Sequence, residues 1–157
     1  MENQPSAERV ITVHIQVPAS QSQVWQAWTT VEGVKSFFAP QSRIDLKPGG
    51  AYEMLFDLEA EPGKQGGEGM VVLAVQPEQM LSFTWNAPPH LPNVRGQMTH
   101  VVVRLFPIDS QNTWVTLRHD GWGEGEEWDA AFQYFSQVWG EVVLPRLRLR
   151  FESGAND

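Results

Sequence analysis

The chain has 157 residues, no cysteine and a formal charge of −8, from 19 acidic and 11 basic residues. This length suits one domain, the lack of cysteine excludes disulfides and thiolate metal sites, and the acidic balance argues against nucleic acid or an anionic membrane as the main partner. No signal peptide or membrane-spanning apolar run is evident, so we expect a cytoplasmic protein without membrane insertion. We expect a flexible leader at 1–8, a single domain at 9–152 and a flexible tail at 153–157.

The first predicted elements are one strand and two short helices. Apolar and polar residues alternate from Ile11 to Val17, which is the period of a half-buried strand. Ser20 precedes Gln23 by three residues, a capping-box spacing that predicts a short helix through Trp28. A second short helix is expected from Val31 to Phe37.

Strand patterns then dominate, separated by Gly, Pro and Asn turns. The predicted strands are Arg43–Leu46, Ala51–Asp57, Met70–Gln76, Leu81–Trp85, Met98–Phe106 and Thr113–His119. Two connections are longer, Leu58–Gly67 and Asn86–Gln97, and we expect them to form mobile rims.

A long amphipathic helix closes the chain. Its apolar stripe comprises Trp128, Ala131, Phe132, Phe135, Val138, Trp139, Val142 and Val143. A face this apolar must cover a sheet, and Pro145 predicts a kink near the end. The predicted fold is therefore α+β: a curved antiparallel sheet of about seven strands with two short helices, closed by the long helix over an apolar cavity.

Several segments also carry a family resemblance. They are Val24–Thr29, Phe37–Pro40, Gly49-Gly50, Gly69–Pro77, Leu81–Trp85 and His119–Trp122. Together they resemble the SRPBCC superfamily over about residues 9–152, in the branch named for the activator of the heat-shock chaperone ATPase. The resemblance implies the helix-grip fold of the birch-pollen allergen and START lipid-transfer domains. It leaves function open, because similar domains serve as lipid carriers, aromatic polyketide cyclases, stress proteins and chaperone regulators.

Strand parity and the helical stripe together define a candidate ligand site. Val115, Leu117 and His119 share one face of their strand, so His119 is expected to point inward. The predicted ligand-binding residues are Trp28, Phe38, Tyr52, Met54, Phe56, Trp85, His119, Trp122, Trp128, Phe132 and Phe135. His119 could bind a polar ligand group or act as an acid or base; alternatively, it is structural and bonded to the turn at Asp120–Gly123.

Other chemistry finds little support in the sequence. The four histidines are scattered, so we predict no metal, and the glycines at 121, 123 and 125 do not match a dinucleotide-binding spacing. No cofactor is predicted, and no catalytic residue apart from the candidate His119. Arg146, Arg148 and Arg150 form a basic cluster at the helix end, which is interpreted as a solvated helix end or as an anion site.

Three functional hypotheses follow. The first is a binding or carrier domain for a small aromatic or lipid-like molecule, because the predicted site is rich in aromatic residues and the sequence offers no catalytic constellation beside them. The second is a cyclase or hydratase-like enzyme that uses His119. The third, implied only by the resemblance, is a chaperone-regulating interaction module, with a chaperone or a second copy of the chain as partner.

Overall fold

The computed structural model describes residues 9–154, where seven strands form two antiparallel sheets. The predicted leader 1–8 and the end of the predicted tail, 155–157, lie outside the described residues. The larger sheet has the order β1-β7-β6-β5-β4 and the smaller one pairs β2 with β3. The strands are β1 Ile11–Val17, β2 Gln41–Ile44, β3 Tyr52–Leu55, β4 Val72–Gln76, β5 Met80–Trp85, β6 Thr99–Asp109 and β7 Asn112–Asp120.

The predicted single sheet is thus divided, but the two parts remain in contact. Isolated bridges join Ala51 to Val71 and Leu55 to Gly66. The N–H of Tyr52 donates to the carbonyl of Met70 at 2.8 Å, so hydrogen bonding continues across the gap. Regular pairing between β3 and β4 is interrupted near Gly66 and Gly69, because glycine weakens a strand and favours a bend.

The strand parity read from the sequence is confirmed on β7. Val115, Leu117 and His119 are all fully buried, whereas Trp114 lies on the outer face and stacks on His14 with ring centroids 4.9 Å apart. The inner face of the larger sheet therefore forms one side of the core.

The first two helices begin where capping residues allow. Helix α1, Gln21–Thr29, has the predicted capping box: the Gln23 N–H donates to Ser20 Oγ at 3.1 Å, and the Ser20 N–H donates to Gln23 Oε1 at 3.0 Å. Thr30 caps α2, Val31–Lys35, which ends two residues before the predicted limit. A third helix, α3, Pro92–Arg95, lies within the second long connection. The sequence analysis did not predict it, because four residues are too few to show a helical period.

The C-terminal helix is continuous in path but not in hydrogen bonding. It comprises α4, Glu126–Val138, a π-helical turn, Trp139–Val143, and α5, Leu144–Gly154. The helix thus departs from α-helical hydrogen bonding just before Pro145, near which the sequence predicts a kink. Pro145 has no N–H to donate, and the Leu144 N–H bonds the carbonyl of Trp139, five residues back, which is the π pattern.

Glycine is required at the turn into α4. A Cβ on residue 123 would lie 2.3 Å from Trp128 Nε1, so the absent side chain leaves room for the indole ring. Gly121 has φ +95°, a conformation that residues with a side chain rarely adopt. No helix among residues 9–154 is long and apolar enough to cross a membrane.

Candidate ligand-binding site

Phe38 lies at the centre of an aromatic cluster between sheet and helix. Its ring centroid is 5.7 Å from those of Trp28, Trp85 and Trp139, and 5.9 Å from that of Phe56. These rings pack edge-on or tilted, the arrangements that aromatic pairs favour at such separations. The cluster occupies most of the interior but ends at Phe56, whose side chain is 44% exposed.

Beyond this cluster, a cavity of about 490 Å³ opens between the C-terminal helix and the two long connections. Its volume lies within the range of about 300–1,000 Å³ typical of small-molecule sites. The helix contributes Tyr134, Phe135, Val138, Trp139, Val142, Val143 and Arg146. The other walls are formed by Phe38, Phe56, Asp57, Lys64, Gln65, Gly66, Trp85, Asn86, Ala87, Pro88, Pro89 and Arg95.

Four of the predicted ligand-binding residues line this cavity: Phe38, Phe56, Trp85 and Phe135. The structure places the other seven, Trp28, Tyr52, Met54, His119, Trp122, Trp128 and Phe132, elsewhere in the interior or at the start of α4.

Tyr52 is typical of the predicted site residues that serve the core. Its hydroxyl donates to the carbonyl of Trp28 at 2.7 Å, and burial raises the pKa of the phenol above its usual value. Trp122 packs edge-on against Trp128 and Phe132, with centroids 6.2 and 5.5 Å away, and so fixes the turn before α4.

His119 is completely buried, and both ring nitrogens have partners. The indole N–H of Trp139 donates to Nδ1 at 2.9 Å, and Nε2 lies 2.6 Å from Thr99 Oγ1. Because an indole nitrogen can only donate, Nδ1 is the unprotonated nitrogen and Nε2–H donates to Thr99. The Thr99 hydroxyl then donates to the carbonyl of Trp85 at 3.1 Å.

This network keeps the imidazole neutral. Burial, and to a smaller extent the charge of His100, lower the pKa of His119 to about 3. A proton on Nδ1 would also remove the acceptor that Trp139 requires. If His119 were structural, its ring was predicted to bond the turn at Asp120–Gly123. The ring instead bonds Thr99 and Trp139. It is the backbone carbonyl of His119 that contacts the turn, by accepting from Trp122 Nε1 at 3.1 Å.

Arg95 ties the two rims of the cavity together. Its guanidinium donates to the carbonyl of Gly63 at 2.9 Å, to that of Gly66 at 2.8 Å and to that of Ala87, and it lies 3.6 Å from Glu68. Arg95 belongs to the second long connection, whereas Gly63, Gly66 and Glu68 belong to the first or its end. The walls of the cavity are therefore cross-linked.

Glu68 reinforces the same contact. Its carboxylate accepts from the backbone N–H groups of Gly63, Gln65 and Gly66 at 2.6, 2.9 and 3.2 Å. Burial alone would raise the pKa of Glu68, but these N–H groups and Arg95 outweigh it and hold the pKa below its usual value. The carboxylate is therefore ionised when the loop is ordered.

Most of the polar residues of the cavity wall were not among the predicted site residues. Lys64, Gln65, Asn86 and Arg95 lie in the two long connections, which were expected only to form rims. Their turn-rich composition was the available signal, since irregular connections beside an apolar cleft often supply its polar groups. Among residues 9–154, no three His, Asp or Glu side chains come together in a way that could hold a metal.

A sheet closed by one long helix, with an apolar cavity at their junction, defines the helix-grip class of the SRPBCC superfamily. The chain belongs to the family described as activator of Hsp90 ATPase homolog 1-like proteins, whose sequence model matches residues 18–152. No curated protein matches it significantly.

Solved structures share this fold. The Aha1 dimer from Colwellia psychrerythraea is 23% identical, with 92% of this chain and 96% of that chain covered and a TM-score of 0.68. An Hsp90 activator from Plasmodium falciparum is 12% identical, with 89% and 94% covered and a TM-score of 0.65. A protein from Nitrosomonas europaea is 17% identical, with 98% and 100% covered and a TM-score of 0.69. At these identities the likeness concerns the fold.

Proposed function

We propose that this protein binds a small hydrophobic molecule in the cavity beside the C-terminal helix, and that it holds this molecule without transforming it. The observation that carries the proposal is a concentration of exposed apolar side chains. Phe56, Tyr134 and Val142 are 44%, 41% and 37% exposed, and all three line the same cavity. Such a grouping favours an apolar ligand, because covering these side chains removes apolar surface from water.

The cavity floor supports the same interpretation. Trp85, Phe135 and Trp139 present rings to it while remaining almost fully buried, so the floor is formed by packed core residues. A floor held by core packing keeps its shape in the absence of ligand, and binding then requires little ordering of the protein. Aromatic walls suit flat or chain-like apolar ligands equally.

The position of His119 favours binding over catalysis. The cyclase or hydratase hypothesis requires an imidazole that meets the ligand and exchanges a proton. His119 has no exposed surface, does not line the cavity and uses both nitrogens within the protein. Its pKa of about 3 leaves it unsuited to proton transfer near neutral pH.

Filling the cavity tests the proposal. Val138→Trp places a large ring inside it, whereas Gln137→Trp adds the same ring to the exposed neighbouring position. Titration with the neutral fluorescent dye Nile red should show binding to wild type and Gln137→Trp, and binding weakened at least tenfold for Val138→Trp. Absence of dye binding to all three folded proteins would refute the proposal, as would equal binding to all three.

A second candidate function is contact with a chaperone of the Hsp90 class. Family membership and the two relatives described as Aha1 and an Hsp90 activator favour it. Phe106 and Ile108, near the end of β6, are 48% and 51% exposed, do not line the cavity and offer an apolar contact. A purified Hsp90-class ATPase should be stimulated by the wild-type chain and less by Phe106→Ser; unchanged ATPase turnover with saturating wild type would exclude this function.

A further inference from the structure

We infer that the ligand of this cavity is an amphipathic anion: an apolar body with one carboxylate or similar acidic head, which Arg146 receives at the lip. This inference rests on the proposed binding function and specifies its ligand class. The chain as a whole carries a charge of −8, yet the charged side chains lining the cavity are three cations, Lys64, Arg95 and Arg146, and one carboxylate, Asp57. Cations therefore outnumber carboxylates among the lining residues of this acidic protein. Glu68 and Glu61 pair with Arg95 and Lys64, which leaves Arg146 as the lining cation that no described acidic residue pairs with.

The three cations are not equally available. Arg95 is committed to three carbonyl groups and to Glu68, and Lys64 Nζ lies 3.2 Å from Glu61 Oε1. Arg146 makes no hydrogen bond or ion pair with any residue of the described part of the chain, and it is exposed. An unpaired guanidinium beside an apolar wall is suited to a carboxylate, which it can bind through two parallel hydrogen bonds.

The other arginines of the basic cluster differ from Arg146. Arg148 Nε donates to Glu152 at 2.9 Å, and Arg150 lies over the ring of Phe151 at 5.1 Å. Neither lines the cavity. Of the two interpretations of the cluster, Arg148 and Arg150 fit the solvated helix end, and Arg146 fits the anion site.

Along the C-terminal helix, the apolar residues that line the cavity are followed by Arg146 at the same four-residue spacing. Tyr134, Val138, Val142 and Arg146 follow one another at intervals of four residues and all line the cavity. Twelve residues of helix span about 18 Å, so the helical wall presents an elongated apolar stripe that ends in a cation. An elongated molecule with its acid at one end matches this arrangement.

Asp57 limits which anions fit. Its carboxylate lines the cavity and also accepts from the Glu59 N–H at 3.1 Å. A second acidic group on the ligand, placed away from Arg146, would meet this like charge. The site therefore favours monoanions over dianions.

The test compares each acid with its neutral amide. Dodecanoate and dodecanamide represent chain-like ligands, and 2-naphthylacetate and its amide represent aromatic ones. Their dissociation constants would be measured for wild type, Arg146→Gln and the matched control Arg150→Gln, which removes the same charge from the same helix outside the cavity. We expect wild type to bind at least one acid about tenfold more tightly than its amide, and Arg146→Gln alone to abolish that preference.

Each outcome has a distinct meaning. Amides that bind as tightly as acids to wild type would overturn the anion inference while leaving the proposed function intact. Equal losses of acid binding in Arg146→Gln and Arg150→Gln would overturn it too, because they would indicate general attraction to the helix end. If neither acids nor amides bind and Nile red also fails, the proposed function itself fails. If dodecanoate shows the preference over its amide, the apolar part of the ligand is chain-like; if 2-naphthylacetate shows it, that part is aromatic.

Discussion

The space beneath the C-terminal helix is filled by packed side chains at one end and holds an open cavity at the other. Around His119 the helix covers the regular strands β6 and β7, and the indole of Trp139 and the hydroxyl of Thr99 satisfy the imidazole in a closed interior. Around Val142 the helix faces two irregular connections instead, and a cavity of about 490 Å³ remains. A regular ladder supplies inward side chains every second residue, whereas loops supply them irregularly and leave gaps. The same helix thus stabilises the fold at one end and forms a binding wall at the other.

The largest expected effect is loss of the ring shared by both regions. Trp139→Ala should lower the free energy of unfolding by about 3–5 kcal/mol, because it opens a ring-sized void and leaves His119 Nδ1 without a donor. Urea denaturation measures this, with Gln137→Ala as an exposed control on the same helix. If both variants unfolded at the same urea concentration, Trp139 would not hold helix and sheet together.

A smaller effect is expected from His119→Phe, and it depends on pH. At pH 7 the variant should be about 2–3 kcal/mol less stable than wild type, because the buried N–H of Trp139 loses its acceptor. The unfolded imidazole takes up a proton near pH 6.5, whereas the folded one stays neutral down to about pH 3.

The stability contributed by the neutral ring is therefore fully present above pH 6.5 and is lost as the pH falls from 6.5 towards 3. The advantage of wild type over His119→Phe should fall by up to about 1.4 kcal/mol per pH unit in that range, so that it vanishes roughly two units below pH 6.5 and reverses at lower pH. Parallel stability curves from pH 7 to pH 4 would contradict the assigned tautomer and network.

At the cavity end, Arg95→Met should cost about 1.5–3 kcal/mol, the scale of lost hydrogen bonds from a charged group. The amides of Gly63, Gln65 and Gly66 should also exchange with solvent faster, because Glu68 loses its cation. Arg43→Met is the control, since Arg43 is 74% exposed and its ion pair with Glu53 should contribute little. Unchanged amide exchange in Arg95→Met would mean that the rims are ordered by other contacts.

The smallest stability effect is expected where the wall is open. Tyr134→Ala should change the free energy of unfolding by less than about 1 kcal/mol, because the ring is 41% exposed. Nile red should nevertheless bind several-fold more weakly to this variant, as the ring lines the cavity. A large stability loss with unchanged dye binding would reverse the roles assigned to the two regions.

Sequence patterns predicted the fold well because its elements are long or clearly capped. The alternation in β1 and β7, the capping box at Ser20 and the apolar stripe of α4 all depend on neighbours within a few residues. The four-residue helix α3 and the break between β3 and β4 escaped prediction. The helix is too short to show a helical period, and a break in strand pairing leaves no periodic signal in the sequence.

The candidate site was harder to predict, because burial does not distinguish core from cavity wall. Trp28 in α1 and Trp85 in β5 are both buried aromatic residues, yet Trp28 is enclosed by Phe37 and Phe38 while Trp85 reaches the cavity. Arg146 and Arg150 likewise share one helical spacing, and only the position of the opposite wall separates them. That wall is built from residues between Phe38 and Arg95, which lie about 50 to 110 positions before Arg146 in the chain.

The sequence by itself determined the class of fold, the inward face of β7 and the direction of His119, since these follow from local periodicity and from the need to cover an apolar face. Only the tertiary structure decided that Thr99 and Trp139 satisfy this histidine and that Arg146, at the lip of a cavity, has no partner among residues 9–154. Both depend on which distant segments meet, and the pairing of partners across a sheet and a helix is set by packing geometry that no local pattern contains.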